Sequence, residues 1–273
     1  MRLDPSTVLV TGATGGIGRA LVDAFSAAGA RLVLTGRRAD ALEAVAARCG
    51  GRAVVADLGD PADLERLCEE VEAVDVLVAN AALPASGRIE GFDHEDLDRC
   101  IDVNLRAPIR LARAAVPAML SRGRGHIVLV SSLAGVAATP ESALYSATKF
   151  GLRGFGLALR QDLAGTGVGV SVVVPGFVRD AGMFADSGAS LPPGVGTRSP
   201  EEVAAATLRA VERDRAEVAV APAALTVGAY LAGAFPGPAA GAARLLGADR
   251  VAGAVASGQA GRRPGSGPSG SGR

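Results

Sequence analysis

The 273-residue sequence predicts an α/β fold, a doubly wound parallel sheet of about seven strands with helices on both faces. Apolar runs alternate with segments of helical spacing from the N-terminus to about residue 220. The runs are rich in Val and Leu and nearly continuous, the pattern of strands covered on both sides. A strand, a helix and another strand in succession pair in parallel through a right-handed crossover.

In chain order, the Val/Leu run Thr7-Thr11 forms the first strand and stops at a glycine cluster, where helical spacing begins over Gly16-Ala28. Arg31-Thr35 is the second strand and Ala39-Cys49 the helix after it. Arg52-Ala56 leads to the helix Pro61-Val71, with proline in the first turn where its missing N–H costs nothing. The strand Asp75-Ala79 precedes the helix Leu105-Arg122, and His126-Ser131 precedes Tyr145-Leu163. Val168-Val174 and Glu217-Val220 are the last strands, with a helix over Pro200-Asp214. Gly176 to Ser199 has no period and is rich in Gly, Pro and Ser, which predicts a long mobile loop of functional type. Residues 1–250 are expected to form one catalytic domain that includes an apolar, proline-broken extension at 221–250; residues 257–273 predict a disordered tail.

Composition excludes several classes of function. The 28 basic and 28 acidic side chains balance, which argues against a nucleic-acid partner or an anionic membrane surface. A hydrophobic content of 49% excludes disorder for the bulk of the chain. Cys49, Cys68 and Cys100 show no C-x-x-C spacing and fit small buried hydrophobes in a reducing compartment. His94 and His126 have no partners at ligand spacing, so no metal site is expected. The N-terminus carries Asp4 and Pro5 where a signal peptide needs an apolar core. Pro222, Pro236 and Pro238 break the longest uncharged run, leaving no stretch of about 20 spanning residues. A cytoplasmic protein without a transmembrane segment is expected.

Two motifs carry chemistry. Thr11-Gly12-Ala13-Thr14-Gly15-Gly16-Ile17-Gly18 joins the first strand to the first helix. Such a turn lets backbone approach a pyrophosphate, whose charge then sits at the helix N-terminus. The glycines fit both G-x-x-x-G-x-G and G-x-x-G-x-x-G, which mark different branches of one enzyme family. At the end of the second strand stand Arg37 and Arg38, with no acid to receive a ribose 2′-hydroxyl. Guanidinium groups attract a 2′-phosphate, so NADP is the expected cofactor and NAD the alternative. The second motif is Tyr145-Ser146-Ala147-Thr148-Lys149 at the head of a helix, with Lys149 the only lysine in the chain. Residues four apart share a helix face, and a neighbouring ammonium is expected to lower a phenol pKa toward neutrality.

These motifs resemble the short-chain dehydrogenase/reductase family in its compact branch, matched from residue 8 to about 180. The resemblance implies a Rossmann fold and a catalytic set of Asn104, Ser132, Tyr145 and Lys149. Ser131-Ser132-Leu133-Ala134-Gly135 matches the serine motif, with Ser132 standing 13 residues before Tyr145; Val103-Asn104-Leu105 matches the helix asparagine. It further implies cofactor contacts from Gly12, Thr14, Gly15, Gly16, Ile17, Gly18, Arg37 and Arg38. Others are implied at Asp57 and Leu58 beside adenine, at Asn80, at Tyr145 and Lys149, and at Pro175, Gly176 and Val178 beside nicotinamide. In the implied mechanism Tyr145 exchanges a proton with a carbonyl or alcohol oxygen and Ser132 hydrogen-bonds that oxygen. Lys149 lowers the phenol pKa and binds ribose, and Asn104 holds a water.

The family pattern is broken at Ala79-Asn80-Ala81-Ala82, at Gly15 where NADP-selective members often carry a base, and at Asp180 where the family often has threonine. Asp180 would disfavour a phosphate unless it turns away or meets the adjacent Arg179. The expected activity is NADP-dependent hydride transfer to or from a small, apolar secondary alcohol or ketone. The alternatives are a non-catalytic nucleotide-binding regulator or assembly protein, against which all four filled positions count, and a sugar-nucleotide epimerase of a longer branch, for which the chain is too short. Family members form homodimers or homotetramers through the helices matching Leu105-Arg122 and Tyr145-Leu163, so the same is expected here.

Overall fold

The computed structural model describes residues 1, 3–192, 195–245 and 248–260. Seven parallel strands, β1 (Thr7–Thr11), β2 (Arg31–Gly36), β3 (Arg52–Val55), β4 (Val76–Ala79), β5 (Gly125–Val130), β6 (Val168–Pro175) and β7 (Glu217–Val220), form one sheet in the order β3-β2-β1-β4-β5-β6-β7. Helices α1 (Gly16–Ala27), α2 (Ala39–Cys49) and α3 (Pro61–Val71) alternate with the first strands. After β4 come α4 (His94–Ile101), a π-helical turn (Asp102–Arg106), α5 (Ala107–Arg122), α6 (Ala143–Asp162), a short α7 (Met183–Ser187) and α8 (Pro200–Glu212). Three helices follow β7: α9 (Ala223–Ala234), α10 (Pro236–Leu245) and α11 (Ala248–Ala260).

The five inner strands lack polar alternation because both of their faces are buried, whereas the edge strands β3 and β7 are only partly covered. Leu9, Leu77, Ile127, Leu129 and Val170 point to one side, where Leu64 and Leu67 of α3, Leu111 and Met119 of α5 and Leu152 of α6 meet them. Val8, Val10, Val76, Val78, Val128 and Val173 point to the other, against Leu21 and Phe25 of α1, Leu42 of α2 and Val203 and Val211 of α8. Local chemistry sets the helix starts. Asp60 accepts from the N–H groups of Ala62 and Asp63, both at 2.9 Å, ahead of Pro61 in the first turn of α3. Ser199 and Glu202 form a reciprocal capping box on α8.

The structure departs from the sequence reading in four places. Helix α4 precedes the expected start of α5, and Leu105 falls in the π turn rather than in regular helix. The segment Gly176 to Ser199 contains α7 and is drawn together by a bridge between Val178 and Arg198. The apolar extension is helical between its prolines. Residues Ser257 to Ala260 complete α11, where the reading placed the beginning of a disordered tail; the remainder of that tail lies outside the described residues. No helix among the described residues is long and apolar enough to cross a membrane.

Candidate active site

The direction of chain winding reverses between β1 and β4, and in a doubly wound sheet the crevice outside the strand carboxyl ends at that reversal receives ligands. The loops leaving β1 to β6 bring Gly12, Arg37, Asp57, Asn80, Ser132 and Pro175 to this edge. Gly12 has φ +66°, and a Cβ there would lie 2.9 Å from the Cα of Ala81. A side chain on Gly18 would overlap the carbonyl of Gly12, so the loop folds tightly into the start of α1. Thr14 stands beside Gly36 at the end of β2, and Gly15, Gly16 and Ile17 complete the turn. Asn80 braces the reversal: its Nδ2 donates to the carbonyl oxygens of Thr11 at 2.9 Å and Gly12 at 3.4 Å. Thr11, which sequence reasoning passed over, accepts at Oγ1 from the N–H groups of Asn80 (3.0 Å) and Ala81 (2.9 Å).

On the β2–β3 side, Arg37 and Arg38 are exposed, and neither joins an ion pair among the described residues. Asp57 accepts at Oδ1 from the N–H of Gly59 at 2.9 Å and at Oδ2 from Arg99 of α4 at 2.6 Å. Partial burial pushes its carboxyl up, but the Gly59 N–H, the Arg99 guanidinium and the charge of Arg37 together hold it below the usual value. Leu58 is buried beside it. Arg99 was not anticipated, since it arrives from a helix that the sequence reading missed.

The catalytic candidates converge on α6. Ser131 donates to the carbonyl oxygen of Lys149 at 2.9 Å, and Gly135 packs on that carbonyl, fixing where Lys149 leaves the helix. Lys149 is 2% exposed, and its ammonium donates to the carbonyl oxygen of Val130 at 2.9 Å. The ammonium lies 5.7 Å from the centroid of the Tyr145 ring. Two of its three N–H donors have no acceptor among the described residues. Burial lowers the Lys149 pKa to about 8. Tyr145 is pushed up to about 12 by burial, against which a hydrogen bond with Ser132 acts in the opposite direction. The sequence argument expected the ammonium to bring the phenol down; here desolvation sets both shifts, and the opposing contribution on the phenol comes from Ser132. Ser132 Oγ also accepts from the N–H of Ala134 at 3.1 Å.

Asn104 is fully buried in the π turn and is not a free arm. Its Oδ1 accepts from the N–H of Leu83 at 2.7 Å, and its Nδ2 donates to the carbonyl oxygen of Leu83 at 3.0 Å. The amide clamps the chain after β4 to this helix, so the expected water-holding role does not fall to an unengaged side chain. After β6, Gly176 packs beside Leu133 and Val178 is buried. Asp180 sits at φ +69° and pairs with Arg179 Nε at 3.2 Å, so the carboxylate has met the adjacent arginine. No cluster of three or more His, Cys, Asp or Glu side chains suited to a metal ion occurs among the described residues.

The family model for short chain dehydrogenases matches residues 6–191. The ketoacyl reductase HetN of Nostoc sp. is 35% identical over 228 residues, 80% of this chain and 79% of the relative. The 3-oxoacyl-[acyl-carrier-protein] reductase FabG of Escherichia coli is 33% identical over 184 residues, 65% of this chain and 75% of FabG. A short-chain dehydrogenase from Sphingobium yanoikuyae, solved in complex with NADPH, superposes with a TM-score of 0.76 at 30% identity, covering 85% of this chain and 94% of its own.

Proposed function

Because the chain belongs to the short-chain dehydrogenase/reductase family of oxidoreductases, which act on C=O and CH–OH groups, we propose that it is an NADPH-dependent reductase of apolar ketones. Two relatives are named as ketoacyl and oxoacyl reductases, which makes 3-ketoacyl thioesters the first substrates to try. The observation that carries the reading is the cluster of Ser132, Tyr145 and Lys149 at the carboxyl edge of the sheet, with a glycine cradle across the crevice.

The donor set fits a dinucleotide phosphate. Gly12 and Thr14 to Gly18 would receive the pyrophosphate at the start of α1, and the unpaired Arg37 and Arg38 the 2′-phosphate. Asp57 and Leu58 would flank adenine. Asn80, Pro175, Gly176 and Val178 would line the nicotinamide side, and Lys149 has donors to spare for ribose hydroxyls. When bound, the cofactor supplies hydride.

The chain's own residues manage the proton. With its pKa near 12, Tyr145 is protonated at neutral pH and can donate its O–H proton to a carbonyl oxygen as that oxygen gains charge. Ser132 donates a hydrogen bond to the same oxygen. A protonated phenol suits reduction better than oxidation, where Tyr145 would have to act as a base. Phe177 and Phe184, with ring centroids 4.9 Å apart, give the substrate side an apolar character. The reading also includes a reducing, cytoplasmic setting, in keeping with Cys49, Cys68 and Cys100, none of which forms a disulfide among the described residues. It includes a homodimer or homotetramer built on α5 and α6.

Tyr145→Phe tests the proposal. Turnover with NADPH and a panel of ketones, followed by nicotinamide absorbance, should fall roughly a hundred- to ten-thousand-fold. NADPH affinity should persist in the variant, and the native protein should bind NADPH more tightly than NADH by fluorescence titration. Undiminished turnover would remove Tyr145 from the chemistry, and equal affinities would remove Arg37 and Arg38 from cofactor selection.

A further inference from the structure

Helix α11 lies well beyond the region matched by the family model, which ends at residue 191, yet it packs directly on α7. Two side-by-side positions make the junction. Gly258 leaves no room for a Cβ, which would overlap the carbonyl of Ser187 at the last residue of α7. Gln259 is 4% exposed, and its Nε2 donates to the carbonyl oxygen of Met183 at 3.3 Å, at the first residue of α7. Its Oε1 is buried with no hydrogen-bond partner among the described residues, so the Nε2 bond to α7 is the amide's one hydrogen bond there. Thus α11 grips both ends of a five-residue helix.

That helix is tied to the site by two routes. Ala181, just ahead of α7, packs on Gly16 of the glycine loop so closely that a Cβ on Gly16 would overlap it. The ring of Phe184 stands 4.9 Å from that of Phe177, and the neighbouring Gly176 packs on Leu133, next to Ser132. A shift of α7 is therefore felt both where a pyrophosphate would bind and where the carbonyl would be held. An isolated five-residue helix is not stable by itself and takes its position from whatever packs on it.

We propose that α11 is a clasp that fixes α7 over the active site, with Gly258 and Gln259 as positioning residues for cofactor and substrate. The proposal rests on the oxidoreductase reading, and its test separates the two. Gly258→Ala is compared with Gly253→Ala in the full-length chain. Alanine is the better helix former at both positions, but a Cβ at Gly253 meets only Glu141 Oε1 at 3.7 Å. With NADPH and acetoacetyl-CoA, Gly258→Ala should raise both KM values roughly five- to twenty-fold and leave kcat within about two-fold. Chymotrypsin cleavage after Phe184 should quicken by about ten-fold. Gln259→Leu, which keeps the bulk and removes the donor, should move the same readouts in the same direction, and it carries the test if Gly258→Ala does not fold. Gly253→Ala should match the native protein.

Native KM and native resistance to chymotrypsin in both clasp variants would overturn the proposal, as would an equal loss in Gly253→Ala. If the native protein turns over neither acetoacetyl-CoA nor any ketone of the panel, the oxidoreductase reading fails, while the cleavage rates still decide the clasp.

Discussion

At the scale of single residues, the proposed site rests on the buried Lys149 and the half-buried Tyr145, which desolvation pushes in opposite directions. Burial disfavours the charged form of each, so Lys149 loses its proton more readily and Tyr145 holds its proton more firmly. Lys149 therefore carries its charge below about pH 8 and loses it above, while Tyr145 remains protonated throughout that range. The expected pH profile of kcat/KM for reduction is level through neutrality and falls above about pH 8, approaching ten-fold per unit. A profile that stays level to pH 10 would show that the ammonium is not needed. The tyrosine–lysine pair was legible because one lysine in the chain stands four residues after a tyrosine. The direction of the phenol shift was not legible, because sequence spacing reports proximity and says nothing of desolvation. The engagement of Asp57 by Arg99 stayed hidden for another reason: it spans 42 positions and starts from the unanticipated α4.

Among the elements, the π turn from Asp102 to Arg106 shows how one side chain can set a helix's shape. Asn104 satisfies both main-chain groups of Leu83, and the helix widens there so that the N–H of Ala107 returns to the carbonyl oxygen of Asp102. Asn104→Ala would leave a buried donor and a buried acceptor unpaired, at a cost of about 2–4 kcal/mol. Urea denaturation should register that loss; a variant within about 0.5 kcal/mol of the native protein would show that water or a shift in the backbone replaces the clamp. The inner strands were legible almost to the residue because burial on both faces writes an uninterrupted apolar run. Helix α4 was not, since it is only eight residues long and His94, Glu95, Asp96, Asp98 and Arg99 leave it too few apolar positions to stand out. Prolines in the extension were seen as breaks, and two of them do bound helices: Pro222 precedes α9 and Pro236 opens α10.

For the molecule as a whole, the outer faces of α5 and α6 carry exposed Leu120 (41%) and Phe150 (40%), apolar groups on the two helices expected to join subunits. Phe150→Asp should shift the native protein to a more slowly sedimenting species at micromolar concentration, and identical sedimentation of the two would remove Phe150 from any interface. The fold class was legible because strand–helix alternation is a property of the whole chain. The proposed clasp was not, because Gly258 and Ser187 stand far apart in the chain and no local pattern links them. One feature of this molecule also bears on its handling. The lone ε-amino group belongs to a residue two per cent exposed in the proposed active site, and the α-amino group donates to the carbonyl oxygens of Val211 and Glu212. Acylating or aldehyde reagents, which decorate most proteins at scattered surface lysines, find no such targets here. If nucleotide fills the crevice beside Lys149 as proposed, labelling of that single enclosed ε-amine should fall when NADPH is present.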